Sequence, residues 1–450
     1  MGTTRGCRAS EQAHCAEARH PRVVPTLVGL LAGAVVAFGA PTATGAQQAP
    51  RAQQSPRAHQ EPGAEQARSA PQTPGAPAAD TLPADSTFAH AGPVLRWNVA
   101  SRALVERAIA ARGSRPARPT FYDGNNNTRI YALVAGAQYD ALRATADPRE
   151  GEVAAITAAA AVLQTVFPRD SAWIARRRVS EAAELKESGL SAGRLRAGQR
   201  AGARAATRWV RDADAELRVP PWRAKVPTGP FRWRGEGSSP ALAISLGLKP
   251  WFLSRRDQFR PPPPPERDSP GFIANLAVVR SATGLRTREQ TRATWKWARN
   301  AATLWSEIAG GIVLRRRLPE VEAARALMYL NMALSDATIA CWDAKLTYWY
   351  PRPSQVDPLI DMSVPLPNFP SYPSAHATLF ATGAAVLGHL LPDERDALDS
   401  LAAEATDSRV WAGVHFPFDN LAGTRLGRRV AGAANAVADA EGGDRRAASH

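Results

Sequence analysis

Five consecutive prolines, Pro261 to Pro265, constrain the fold of this 450-residue chain more than any other feature. Proline fixes φ and has no N–H, so this run is predicted to form an extended polyproline segment rather than a helix or a central strand. The sequence around it, from about 218 to 285, is rich in Pro, Gly and Trp. We therefore expect an irregular crossover on the surface of the fold, an interpretation favoured over a proline-rich signalling ligand.

On both sides of the crossover, apolar residues recur at helical spacing. Abundant Ala, Leu and Arg favour helix, and no clear alternating strand is found. Helices are predicted at about 94–113, 127–146, 150–167, 171–188 and 191–214 before the crossover, and at 287–315, 319–349, 375–391, 393–406 and 419–438 after it. The predicted fold class is therefore all-α, with two packed groups that resemble four-helix bundles and are joined by the Pro-rich crossover.

The N-terminal part of the chain differs in composition from the rest. Residues 1–46 contain a basic start, an apolar run from Val23 to Ala40 and a stretch of small residues, which is typical of a secretory signal peptide cleaved near Ala46. The alternative is an uncleaved anchor, because the apolar run is just long enough to span a bilayer. Export to the periplasm or the medium is predicted in the first case, and tethering in the second.

A Gln-, Ala- and Pro-rich segment at 47–92 has too little apolar sequence to order itself and is predicted to be a disordered linker. One helical domain is expected at 93–440, followed by a disordered tail at 441–450. After signal cleavage Cys341 is the only cysteine, so no internal disulfide is expected. No run beyond the signal is apolar enough to cross a membrane, so no integral membrane domain is expected after cleavage.

The chain is basic, with a formal net charge of +15, which favours anionic ligands or surfaces, although an arginine-rich composition alone has the same effect. Four arginines spaced four residues apart lie on one face of a predicted helix. They are Arg196, Arg200, Arg204 and Arg208. Such a stripe can bind nucleic acid or anionic lipid, but aromatic residues are not interleaved with it, so no nucleic acid partner is predicted. Gly198 and Gly202 in the same helix indicate close helix packing.

Several common enzyme motifs are missing: cysteine-pair zinc motifs, a P-loop and a dinucleotide glycine signature. The sequence GLSAG at 189–193 matches a nucleophile elbow, but it follows a helical, charged segment rather than a strand, so we do not expect it to be catalytic.

Between 93 and 440 the only histidines are His376, His389 and His415. Because His389 ends an apolar helix, it is interpreted as packed or partly exposed, and the other two carry the chemical argument.

Three stretches provide polar groups that suit an anion. In CWDAKLTYWYPRPS, Lys345 lies in the last turns of a helix and Arg352 follows between two prolines. In the stretch PSAH, Ser374 is a candidate N-cap, and the backbone N–H groups of Ala375 and His376 are free at a helix N-terminus, which is a ready anion site.

The third stretch, DSRVWAGVHFPFDN, contains Arg409, His415 and Asp419. A carboxylate four residues beyond a histidine can hydrogen-bond its ring and select the nitrogen that faces a ligand. Three cations, a hydroxyl, free amides and two histidines together suit a tetrahedral oxyanion of high charge. The alternative is three unrelated basic surface stretches.

The order and spacing of these residues resemble the tripartite signature of a superfamily that unites type 2 phosphatidic acid phosphatases, bacterial acid phosphatases and vanadium-dependent haloperoxidases. The matching elements are Lys345-x6-Arg352-Pro353, then Pro373-Ser374-Ala375-His376, then Ser408-Arg409-x5-His415-x3-Asp419. The segments VLRWN, FRPPPPP, RTREQT and LNMALSDATIACWDAK are similar to exported bacterial relatives of vanadium chloroperoxidase, so the resemblance covers about 94–435. It departs from the family at Ala375, where glycine is usual.

The resemblance implies a role for each matching residue, with the site inside 340–420. His415 would bond the central atom of the oxyanion, Asp419 would orient His415, and His376 would transfer protons. The oxyanion would be held by Lys345, Arg352, Ser374, the Ala375 amide and Arg409. If the enzyme is a haloperoxidase, the cofactor is vanadate and His415 is its ligand; if it is a phosphatase, no cofactor is needed.

Two reactions therefore stay open: oxidation of halide by hydrogen peroxide, and hydrolysis of phosphomonoesters or lipid phosphates through a phosphohistidine. Both act on small-molecule substrates. The resemblance places Trp342 and Phe369 at the halide side of chloroperoxidase-like pockets, which favours the haloperoxidase, whereas the alternative is that both are core aromatics. A third hypothesis is a non-catalytic surface-binding protein that uses the Arg196 to Arg208 stripe and the linker.

Overall fold

A computed structural model describes residues 91–110, 127–235 and 240–448. Within these residues the chain forms α-helices, short 3-10 helices and connecting segments without any β-strand, so the predicted all-α class is confirmed. The helices are α1 (Pro93–Ala110), α2 (Asn127–Arg143), α3 (Pro148–Val166), α4 (Ser171–Glu187), α5 (Ala192–Leu217), α6 (Pro270–Gly284), α7 (Arg288–Lys296), α8 (Ala301–Arg316), α9 (Glu320–Tyr348), α10 (Pro353–Val356), α11 (Ala375–Leu390), α12 (Arg395–Trp411) and α13 (Pro417–Ala448). The predicted signal peptide and all but the last two residues of the predicted linker lie outside the described residues.

Helix α9 organises the fold because it is buried around most of its circumference. On one side α2, α3, α5 and α9 form one packed group, and on the other α9 packs with α11 and α13, while α12 covers α11. The two groups therefore share α9, in addition to being joined along the chain by the crossover. One continuous core of buried apolar side chains extends through both groups.

Three predicted segments differ from the structure. The helix predicted at 287–315 is two helices, because Asn300 caps α8 by accepting hydrogen bonds from the backbone N–H groups of Ala302 and Thr303. The crossover predicted to be irregular contains α6, which Ser269 caps. The predicted tail is helical as far as Ala448, where the description of the chain ends.

The first part of that tail is anchored by a carboxylate. Glu441 of α13 accepts hydrogen bonds from four side chains: Tyr139, Arg143 at 3.0 Å, Arg325 at 3.2 Å and Tyr329 at 3.0 Å. These partners belong to α2 and α9. These contacts join residues that are far apart in the sequence, so the composition of the tail alone does not predict that its first part is held against α2 and α9.

Tyrosine hydroxyls hold the five prolines in place. Three donate to backbone carbonyl oxygens of the run: Tyr348 to Pro261 at 2.6 Å, Tyr372 to Pro262 at 2.7 Å and Tyr350 to Pro265 at 2.7 Å. A polyproline segment leaves its carbonyls free to accept such bonds. Tyr348, Tyr350 and Tyr372 border the segments that carry Lys345, Arg352 and Ser374, so the crossover is hydrogen-bonded to the same part of the fold as these residues.

Helix α5 lies directly on α3 at two glycines, as the sequence predicted. A Cβ atom on Gly198 would lie 2.6 Å from the carbonyl oxygen of Glu150, and one on Gly202 would lie 2.3 Å from that of Ala154. Neither backbone atom can move without displacing a helix. The glycines therefore set the distance between the two helices.

Replacing Gly202 by alanine is expected to lower the free energy of unfolding by about 1–3 kcal/mol, because the added methyl group overpacks the α3–α5 contact. Gly193→Ala in the same helix is the matched control. Its Cβ would meet only the Ser191 side chain, at 3.9 Å, so the free energy of unfolding should stay the same or rise by up to about 1 kcal/mol. Urea denaturation measures both, and equal effects would contradict the packing argument.

Among the described helices, none combines the length and the apolar character required to span a bilayer.

Candidate active site

The predicted site residues come from the ends of several helices. Lys345 lies in the last turn of α9, Arg352 precedes α10, and Arg409 lies in the last turn of α12. Ser374 caps α11, whose first two residues are Ala375 and His376. The connection from α12 to α13 provides His415, and the first turn of α13 provides Asp419. All except the partly buried His376 are buried.

His415 and Asp419 form the centre of the site. Asp419 Oδ2 lies 2.9 Å from His415 Nδ1 and also accepts the backbone N–H of Phe416 at 3.1 Å. Because a carboxylate accepts here, Nδ1 carries the proton and the lone pair of the neutral ring is on Nε2. Burial lowers the pKa of His415 well below its usual value, and the charges of Arg352 and Lys345 act in the same direction.

Arg352 faces the Nε2 atom of that histidine. Its Nη1 lies 3.0 Å from His415 Nε2 and donates to the carbonyl oxygen of Val414 at 2.6 Å, while Nε donates to that of Phe369 at 3.1 Å. Nη2 is buried and has no hydrogen-bond partner in the part of the chain that the structure describes. Burial lowers the pKa of Arg352 to about 9, so it remains a cation at neutral pH and has one donor group unused.

Lys345 is fully buried and donates three hydrogen bonds to backbone carbonyls. Its Nζ lies 2.6 Å from the oxygen of Pro370, 2.8 Å from that of Ser371 and 2.6 Å from that of Pro373. An ammonium group has three N–H donors, so none is left over. Burial lowers the pKa of Lys345 to about 7, whereas the three carbonyls favour the charged form. Lys345 therefore adds positive charge to the site and holds the backbone of residues 370–373 in position.

The N-terminus of α11 is arranged as its sequence predicts. The Ser374 hydroxyl accepts the N–H of Ala377 at 3.3 Å, and the N–H of Ser374 donates to the carbonyl oxygen of Asp419 at 2.9 Å. The N–H groups of Ala375 and His376 lie in the first turn, where a helix has no internal acceptor. Ala375 does not have a positive φ, so its methyl group is compatible with the position where relatives have glycine.

His376 is held on one side by the connection between α7 and α8. Its ring interacts with the backbone at Trp297 and Arg299, while Nε2 is buried and has no hydrogen-bond partner. Burial, followed by the charge of Arg409, lowers the pKa of His376 to about 3. The ring is therefore neutral near pH 7, and its Nε2 is available to exchange a proton with a ligand.

Arg409 belongs to the same charged cluster. Its Nη2 donates to the carbonyl oxygen of Thr294 at 2.9 Å, and Nε lies 3.0 Å from the Ser408 hydroxyl. Burial lowers the pKa of Arg409 to about 10, so the side chain stays charged near pH 7. Helix α7, through Thr294, therefore helps to position a cation of the site.

The two predicted aromatic residues differ in their surroundings. The rings of Trp342 and Phe369 are 5.1 Å apart. Phe369 is partly exposed, and its ring centre lies 5.1 Å from Lys345 Nζ and 4.9 Å from Arg352 Cζ. Trp342 is buried and donates to the carbonyl oxygen of Ala241 at 2.7 Å. Phe369 thus covers two cations of the site, while Trp342 supports it from the core.

Ser371 is a site residue that the sequence argument missed. Its hydroxyl donates to Asp419 Oδ2 at 2.6 Å, and its carbonyl oxygen is one of the three acceptors of Lys345. Burial raises the pKa of Asp419 to about 6, and the Ser371 hydrogen bond is the largest influence that lowers it. Ser371 lies in the same stretch as Ser374, but only the fold shows that it contacts Asp419.

Replacing Ser371 by alanine is expected to shift the acidic limb of the activity profile to higher pH by about one unit. Loss of the hydrogen bond raises the pKa of Asp419, so the carboxylate that holds His415 Nδ1–H protonates at a higher pH. A profile of kcat/KM against pH measures the shift. Ser371→Thr, which keeps the hydroxyl, should restore the normal limb, and an unchanged limb in the alanine variant would contradict the role.

The donor set fits a tetrahedral oxyanion such as vanadate or phosphate. Two buried nitrogens have no partner, Arg352 Nη2 and His376 Nε2, and a neutral His415 presents a lone pair on Nε2. Cations, the Ser374 hydroxyl and the N–H groups of α11 surround them. An oxyanion would accept from Arg352 Nη2 and from the N–H groups of α11, and a protonated oxygen of the same group could donate to the unprotonated His376 Nε2.

Comparison with known proteins finds a family model that is similar to the segment carrying this site. The model of the PAP2 superfamily matches residues 325–441, which include every predicted site residue. A comparison with curated protein sequences finds no significant match. The family match therefore covers the part of the chain that builds the site.

Three solved structures have a similar fold. A structure described as the first bacterial vanadium-dependent iodoperoxidase is 21% identical, with a TM-score of 0.57, and the alignment covers 69% of this chain and 90% of that one. An apo-type bacterial vanadium-dependent chloroperoxidase is 15% identical, with a TM-score of 0.55 and coverage of 68% and 92%. A holo-type form is 14% identical, with a TM-score of 0.54 and coverage of 80% and 95%.

At these identities the structures show the fold, and the family model shows that residues 325–441 are similar to the PAP2 superfamily. Both agree with the prediction from the tripartite signature. Residues 325–441 are similar to the PAP2 superfamily and the described residues have the all-helical fold of the vanadium-dependent haloperoxidases, which together indicate an enzyme of the phosphatase or haloperoxidase type.

Proposed function

We propose that this chain is a vanadium-dependent haloperoxidase-like enzyme that oxidises halide with hydrogen peroxide. The observation that carries the proposal is the pair His415 and Asp419. Asp419 holds the proton of His415 on Nδ1, so Nε2 presents its lone pair beside a buried, charged Arg352. A nitrogen of this kind bonds vanadium in vanadate or phosphorus in a phosphoester.

The remaining residues would hold the oxygens of the anion. Arg352 has an unused donor in Nη2, and the N–H groups of Ala375 and His376 extend from the first turn of α11. Lys345 and Arg409 would offset the negative charge of the anion while they stay hydrogen-bonded to backbone carbonyl oxygens. When bound, vanadate would supply a Lewis-acid centre that activates hydrogen peroxide towards halide.

His376 would transfer the protons. Its low pKa keeps the ring neutral in the free site, and because the backbone at Trp297 and Arg299 contacts Nδ1, the lone pair lies on Nε2 and can accept a proton when hydrogen peroxide binds. The backbone contacts at Trp297 and Arg299 keep the ring in position during this step. A proton gained at Nε2 is returned as the product forms.

Halide oxidation is preferred over phosphate chemistry because of Phe369. This partly exposed ring covers Lys345 and Arg352, and so forms an apolar wall beside the cations. Such a wall suits a weakly hydrated halide. The structural relatives also include an iodoperoxidase and a chloroperoxidase, which supports the same choice.

The second candidate is an acid phosphatase, which the superfamily match supports. In that reaction His376 first takes a proton from the bound monoanionic phosphoester; His415 Nε2 then attacks phosphorus, the P–O bond to the alcohol breaks, and His376 passes that proton to the leaving oxygen. Water then hydrolyses the phosphohistidine, with His376 as base. The protein binds no cofactor for this reaction.

One experiment separates the two candidates. Purified protein is assayed with and without orthovanadate, for oxidation of chloride, bromide and iodide by hydrogen peroxide and for hydrolysis of p-nitrophenyl phosphate. The proposal expects halide oxidation that depends on added vanadate, together with weak hydrolysis that vanadate inhibits. Efficient hydrolysis without halide oxidation, in protein shown to bind vanadate, would instead establish the phosphatase.

The non-catalytic hypothesis has less support. Arg196, Arg200 and Arg204 are exposed, as a binding stripe requires, but Arg208 is paired with Asp140. This hypothesis predicts that a surface-binding activity survives the loss of His415.

Export stays a proposal, and mass spectrometry of the mature N-terminus tests the predicted cleavage near Ala46.

A further inference from the structure

A groove lies between α4 and α5, above α3, in a part of the fold that contributes no residue to the candidate active site. Its volume is about 250 Å³. Its exposed apolar surface comes from Val179, Ala182, Ala183 and Leu195, above the buried side chains of Val153 and Ile156. No acidic residue is among those that line it.

Both walls of the groove are fixed to its floor. The glycine contacts described above hold α5 against α3. On the other side, the guanidinium group of Arg149 at the start of α3 donates to the carbonyl oxygens of Leu185 and Ser188, each at 3.1 Å, at the end of α4. The groove therefore exists before a ligand binds, and cannot close by moving one helix.

Two cations on the α4 wall have no acidic partner. Arg178 and Lys186 lie about two turns apart and line the groove, and neither forms an ion pair within the described residues. Arg178 Nε is buried and has no hydrogen-bond partner among residues 91–110, 127–235 and 240–448. A buried guanidinium nitrogen without an acceptor is costly, so a ligand that provides an anionic oxygen would relieve that cost.

We propose that this groove binds a single-chain anionic amphiphile, an alkyl chain that ends in a carboxylate. The alkyl chain would cover Val179, Ala182 and Leu195, and the carboxylate would pair with Arg178, whose planar group suits bidentate binding. Lys186 adds positive charge along the same wall. The proposal is independent of the reaction at His415.

Titration of the full chain with decanoate below its micellar concentration, followed by calorimetry, tests the proposal. Saturable binding of decanoate is expected, together with much weaker binding of decanol, which has no charge, of acetate, which has no chain, and of decyltrimethylammonium, whose charge is opposite. Arg178→Gln should weaken decanoate binding by about tenfold or more. Ala182→Trp, which fills the groove, should abolish it.

Arg196→Gln is the matched control, because Arg196 is exposed on α5 and does not line the groove. It should leave decanoate affinity unchanged. Thermal unfolding shows whether each variant is folded. The proposal is overturned if decanoate does not bind saturably, if decanol or the cation binds equally well, or if Arg178→Gln and Ala182→Trp both bind as the wild type does.

Discussion

Replacing His415 by alanine is expected to reduce turnover by about 10³-fold or more, whichever of the two reactions the enzyme catalyses. Among the described residues, this imidazole alone has a neutral nitrogen that is oriented by a carboxylate and lies beside Arg352. Without it, the oxyanion has cations around it but no atom to bond. Steady-state rates with saturating vanadate, or with a phosphoester, measure the effect.

The matched control is His389→Ala. His389 is the other histidine with a carboxylate partner within the described residues, and its Nε2 lies 2.8 Å from Asp439 on a partly exposed surface. This change should leave turnover within about twofold. Turnover by a folded His415→Ala variant that stays within tenfold of wild type would mean that another atom bonds the substrate.

Replacing Lys345 by methionine is expected to lower the free energy of unfolding by about 3 kcal/mol. Methionine fills a similar volume but cannot donate, so the carbonyls of Pro370, Ser371 and Pro373 lose their shared donor while still buried. Urea denaturation measures the loss. The same change should also weaken anion binding, because the turn that leads to Ser374 is no longer held.

Lys296→Met provides the control for that prediction. Lys296 lies on α7 and forms an exposed ion pair with Glu404 at 3.2 Å, which is expected to contribute no more than about 1 kcal/mol. If both lysine variants are equally stable, the three carbonyl contacts of Lys345 do not stabilise the fold. Lys345 would then act on the anion alone.

Local sequence patterns predicted much of the fold and of the arrangement of the site. Ser374 before an apolar helix indicated an N-cap, and the i, i+4 spacing of His415 and Asp419 indicated a ring held at one nitrogen. Both features depend on residues within a single turn. The close packing of α5 at Gly198 and Gly202 was also predicted from spacing, since small residues four apart lie on one face of a helix.

Features that depend on contacts between distant residues were not predictable. The contact between Ser371 and Asp419 joins residues 48 positions apart, and the acceptors of Lys345 lie 25 to 28 positions away. The sequence indicated a cation at Lys345 but not that backbone carbonyls take all its donors. The helical pattern of 287–315 continues through Asn300, so periodicity alone did not show that one helix ends before this residue and that Asn300 caps the next.

The central claim is that His415 Nε2 bonds the oxyanion. A crystal structure of the protein soaked with orthovanadate tests it most directly, with anomalous diffraction to locate vanadium. We expect vanadium density continuous with His415 Nε2, and oxygens within hydrogen-bond distance of Arg352 Nη2 and of the N–H groups of the first residues of α11. Vanadium bound elsewhere, with His415 Nε2 still facing Arg352 alone, would contradict it.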